Sequence, residues 1–97
     1  MAVSRAERRG LRRPRAREEF GDDAEAALDL LELTELAWHD CYAEVTPPDE
    51  VVEDIFVVAA GDLTALARAA RLAVEDWRDL RVAADERRSR GAQDHLP

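Results

Sequence analysis

Lysine and asparagine are absent from this chain, and cysteine, methionine and tyrosine occur once each. With Cys41 alone, no disulfide can close within the chain and no zinc site of several thiolates can be assembled. A reducing compartment is the simplest expectation, and the cytoplasm is the setting it suggests. Long apolar runs are missing too. No segment approaches the ~20 residues that a membrane span needs, and no apolar stretch follows the N-terminal arginines as a secretory signal would require. The four glycines stand isolated at positions 10, 21, 61 and 91, so no glycine-rich phosphate loop exists. No internal repeat is visible.

What is present is arginine, acid and leucine, unevenly placed. Residues 1–17 carry seven arginines against Glu7, residues 18–67 carry fifteen acids and no base, and residues 68–97 are nearly balanced, for a net charge of -8. The middle block repels a phosphate backbone. Residues 1–17 show no apolar periodicity and contain Gly10 and Pro14. Residues 1–20 are therefore expected to be a disordered arginine-rich arm, residues 21–90 a helical domain and residues 91–97 a frayed tail. As a basic tail the arm can touch nucleic acid or another anionic surface; the plainer expectation is a solvated tail over its own acidic domain.

Residues 22–45 organise the rest. Gly21 breaks the chain, Asp22 or Asp23 can cap, and acids crowd the first turn, where the helix dipole favours them. At 100° per residue Ala27, Leu31, Trp38, Tyr42 and Val45 share one stripe, flanked by Leu30, Ala37 and Cys41. Leu33 and Leu36 fall toward the polar side with Glu32 and Asp40. That placement makes Leu33, Leu36, Glu32 and Asp40 a candidate surface for another helix or another chain. Pro47 and Pro48 end this helix and open a second. Residues 51–60 are rich in β-branched side chains, and a strand over 51–59 is the alternative, but Val51, Val52, Ile55, Val58 and Ala59 fit a helical face, with Glu50, Glu53 and Asp54 away from it. Gly61 stops that helix and Asp62 caps a long third one, whose stripe runs Leu63, Leu66, Ala67, Ala70, Ala73, Val74, Trp77, Leu80 and Ala84.

Constellations with chemical promise fail on geometry or specificity. His39, Asp40 and Cys41 are helix neighbours about 100° apart and cannot meet as nucleophile, base and orienter; Cys41 is expected to be a small buried thiol. Glu35 and His39, with Glu32 nearby, have i,i+4 spacing for a metal, yet bundle metal sites draw ligands from several helices. Paired carboxylates are too common here to be informative. The helices about Gly61 echo a helix-turn-helix, but the second opens with Asp62-Leu63-Thr64-Ala65 rather than basic readers, so DNA binding would rely on residues 1–17. No catalytic residue, cofactor site or metal site is assigned.

LELTELAWHDCYAEVTPP and GDLTALARAARLAVEDWRDLRVAAD, within residues 28–87, resemble a group of small uncharacterised proteins from actinobacterial genomes. The resemblance implies a bacterial cytoplasmic setting and a small helical protein, and carries over no site. The expected fold is all-α, a small three-helix bundle with a disordered basic N-terminal arm. The expected function is non-enzymatic: a protein-interaction module presenting an acidic surface to a protein partner or to a second copy of itself. A DNA-binding regulator of helix-turn-helix type is the alternative. Glu35 and Arg81 both fall within or beside apolar stripes. They can meet at a rim as an ion pair, or each can snorkel past its apolar neighbours to water, the plainer outcome.

Overall fold

The computed structural model describes residues 3–94, with side chains described through residue 92. The chain is all-α: α1 (Arg5–Phe20), a 3-10 turn (Gly21–Asp23), α2 (Ala24–Tyr42), α3 (Asp49–Ala59) and α4 (Leu63–Asp94). Residues 51–59, for which a strand was the alternative, are helical. The three helices expected from periodicity are present, and a fourth precedes them.

That fourth helix corrects the expectation of a disordered arm. Residues 1 and 2 lie outside the described residues, but from Ser4 onward the arm is ordered by a capping box. The Glu7 amide donates to Ser4 Oγ at 3.1 Å, and the Ser4 amide donates to the Glu7 carboxylate at 3.4 Å. Pro14 is accommodated within α1, and Gly10 has open space around it. Of the expected tail, residues 91–94 continue α4 through Asp94, and residues 95–97 lie outside the described residues.

Gly21, at φ 55°, ends α1 by donating its amide to Arg17, and the short turn sends α2 back antiparallel. Ala43 (φ 58°) closes α2 and buried Pro47 leads into α3. Between α3 and α4 the turn depends on Gly61. Its φ is 79°, and a Cβ there would lie 2.7 Å from the Glu19 carbonyl oxygen, so α1's last turn rests on this glycine. Asp62 then caps α4, accepting from the Ala65 amide at 2.9 Å.

The main core joins Ile55, Phe56 and Ala59 of α3 to Leu66, Ala69, Ala73 and Leu80 of α4, closed by Ala27, Leu31 and Trp38 of α2. Each large side chain buried here contributes roughly 1.5–3 kcal/mol. From α1, Phe20 enters this core against Phe56, ring centroids 6.3 Å apart, and Ala16 joins Ala24 and Leu28 in a smaller cluster.

The third expected helix is broken. Asp76 leaves helical geometry (φ -160°, ψ 89°), and its carboxylate accepts from the amides of Arg78 at 3.1 Å and Asp79 at 3.4 Å. Asp76 thus acts as an N-cap for a second helical segment. In an unbroken helix the Val74 carbonyl would receive the Arg78 amide. Here it receives the Tyr42 hydroxyl instead, at 2.9 Å. The break, its cap and the replacement donor form one device linking α2 to α4.

Candidate functional site

Five arginines of α1 face acids. Arg8 and Arg12 reach Glu35 at 2.5 and 3.3 Å. Arg9 lies 2.8 Å from Asp29 and 3.1 Å from Glu32, and Arg13 lies 3.2 Å from Glu25. Arg15 pairs with Glu19, reaches Glu53 of α3 at 2.7 Å, and sets its guanidinium 5.0 Å above the Phe56 ring. The series 13 to 25, 9 to 29 and 8 to 35 is what two antiparallel helices in contact produce. Glu35, on the side of α2 that α1 covers, is buried with only 2% of its side chain exposed. Burial opposes its ionisation, but the hydrogen bond from Arg8, the Thr46 hydroxyl and the charges of Arg12 and Arg8 outweigh burial and hold its carboxyl below the ordinary glutamate value.

The rim pair between Glu35 and Arg81 is therefore corrected, and so is the expectation that each snorkels. Both are ion-paired, with other helices: Glu35 with α1, Arg81 with Asp54 at 2.6 Å. Asp54 was assigned to the outer face of α3, yet it is 1% exposed and also takes Arg88 at 2.7 Å. Its burial follows from α4 extending past α3 with two arginines in reach.

The four residues of the candidate surface differ in their surroundings. Glu32 is held by Arg9. Leu33 is 61% exposed and Leu36 46% exposed, and Asp40 follows them, exposed, on the same outward strip of α2. Leu33 edges a groove of about 350 Å³ between α2 and α4, lined by Leu30, Ala37, Ala67, Ala70 and Val74. Leu36 edges a smaller one beside His39, Val45 and the start of α1. Cys41 is exposed, not buried, and Tyr42 and Val45, expected in the core stripe, are 38% and 65% exposed. Among the described residues no three His, Cys, Asp or Glu side chains come together to hold a metal, and Glu35 is already occupied by arginines. No helix among them is long and apolar enough to cross a membrane.

Sequence reasoning missed one concavity. Trp38, Tyr42 and Trp77 line a pocket of about 250 Å³ with Pro48 and Val51, and Glu44, Glu50 and Arg81 stand around it. Three of the five aromatic residues of the chain meet here. Trp38 and Tyr42 have ring centroids 4.3 Å apart, and Trp38 Nε1 donates to Glu44 at 3.2 Å. Trp77 is 38% exposed because it opens the segment that begins after Asp76. The signal was present in Asp76-Trp77-Arg78-Asp79, where an aspartate within a helical run can capture the amides that follow it.

The DNA-binding alternative depends on free arginines in residues 1–17. Among the described residues of α1 only Arg5 and Arg17 lack a carboxylate partner. The helix pair about Gly61 exists, but its turn is packed against Glu19. The chain matches no protein-family model, and comparison with curated proteins and with solved structures finds no match.

Proposed function

We propose that this chain is a non-enzymatic helical interaction module that associates with another protein chain, a second copy in the first instance, through the outward strip of α2. The observation that carries the reading is Leu33, 61% exposed on the same strip as Leu36 and beside an apolar groove. Two leucines on one helix face keep about half or more of their surface in water, and packing them against a second helix would remove it from solvent. Part of the acidic character expected of the surface lies near this strip. α1 neutralises the face of α2 that carries Glu25, Asp29, Glu32 and Glu35, but Asp40, Glu44 and Asp49 near the α2–α3 turn have no cation within 4.0 Å among the described residues. A basic rim on the partner would complement them. Exposed Cys41 suits a reducing bacterial cytoplasm, the setting included in the proposal.

Sedimentation equilibrium over a concentration series tests the reading. Association is expected for the native chain and is lost in Leu33→Glu, whose thermal midpoint matches that of the native chain diluted to monomer, since an exposed site contributes within about 0.5 kcal/mol to folding. A native chain that stays monomeric, and that captures the same host proteins with and without Leu33→Glu, would contradict it.

A further inference from the structure

We propose that the pocket formed by Trp38, Tyr42 and Trp77 is a binding site for an N-alkylated ammonium group, of the kind borne by choline or by a methylated lysine side chain. This pocket shares no lining residue with the groove beside Leu33.

Aromatic faces present negative potential, and a cation gains most from them when little water must be stripped from it. Three rings converge, two of them still 38% exposed, and the guanidinium of the neighbouring Arg78 lies 5.4 Å from the Trp77 centroid. Charge around the mouth has the same sign preference. Glu44 has no cation within 4.0 Å among the described residues, while Arg81, the positive group at the mouth, is drawn toward buried Asp54 at 2.6 Å and comes only to 3.5 Å from Glu50. An anion is repelled by Glu44 and Glu50.

The polar atoms of the floor decide which cation. The Tyr42 hydroxyl donates to the Val74 carbonyl and the Trp38 N–H donates to Glu44, and among the floor side chains Trp38, Tyr42, Pro48, Val51 and Trp77 the Tyr42 oxygen alone can accept. A cation rich in N–H donors would leave water for a floor with few free acceptors, whereas an N-methylated one has no such hydrogen bonds to lose. The site is held open by the fold: Asp76 caps the segment that brings Trp77, and Tyr42 is fixed by the carbonyl which that break frees.

Both tryptophans of the chain line the pocket, so intrinsic fluorescence reports it directly. The full chain is titrated at constant ionic strength with choline and, as the neutral molecule of the same shape, 3,3-dimethylbutan-1-ol. A short peptide bearing trimethyl-lysine is run beside its unmodified form, and the tighter of choline and the methylated peptide identifies the source of the group. The expected result is a saturable change with binding about tenfold tighter than for the neutral alcohol, weakened about fivefold by Trp77→Leu and by Glu44→Gln. Glu44→Gln keeps an acceptor for Trp38, and an unchanged thermal midpoint shows that the fold is retained. No saturable change with either cationic probe, an equal response to the neutral alcohol, or undiminished binding in Glu44→Gln and Trp77→Leu would overturn the proposal.

Discussion

Between α1 and α2 the buried surface consists of Ala16, Ala24, Leu28 and the stems of arginines whose heads meet acids, whereas between α3 and α4 it consists of Ile55, Phe56, Leu66 and Leu80. The second hairpin is an ordinary apolar contact with one buried carboxylate, Asp54, at its open end. The first is a charge lock with little apolar surface. Each is helical for a different reason: α3 and α4 fold because a stripe must leave water, α1 because a capped, arginine-rich segment meets the acidic helix that follows it. A helix can therefore dock where no hydrophobic periodicity announces it.

The most severe way to break the comparison is Glu35→Gln, which leaves Arg8 and Arg12 without the buried carboxylate they share. A loss of about 3 kcal/mol is expected by thermal or urea unfolding, as for one partner removed from a buried ion pair. The same variant sharpens the pH dependence. Glu35 titrates below its ordinary value of 4.5 when folded, so its contribution is full above that value and is lost as pH falls through the lower, folded one. Acid unfolding curves should consequently be flatter for Glu35→Gln than for the native chain.

Gly61→Ala strikes where the two hairpins touch. With φ at 79° and the Glu19 carbonyl 2.7 Å from the added Cβ, a cost of about 2 kcal/mol is expected, measured by urea unfolding. A cost near zero would mean that α1's end does not rest on the turn. Tyr42→Phe is milder: the Val74 carbonyl loses its replacement donor, for about 1 kcal/mol in thermal unfolding.

Three helices were readable because their apolar residues recur at helical spacing between strong punctuation, Pro47-Pro48 and Gly61. α1 was not, since its only periodic feature is arginine and its partners are acids one helix away; Ser4-Arg5-Ala6-Glu7 was the single local sign of helix. The exposure of Leu33 and Leu36 was readable from the wheel, while Trp77 and Tyr42 were assigned to the core because nothing in a hydropathy stripe reveals a break at Asp76. Asp54 and Arg81 show the same limit, as a charged residue in or beside a stripe does not name its partner.

Hydrogen exchange on the intact chain, compared with Glu35→Gln at neutral pH, tests the charge lock most directly. The account predicts that α1 amides are protected in the native chain and exchange at least about tenfold faster in the variant, while α3 and the first half of α4 keep most of their protection. Unprotected α1 amides in the native chain, or α1 protection that Glu35→Gln leaves untouched, would contradict it.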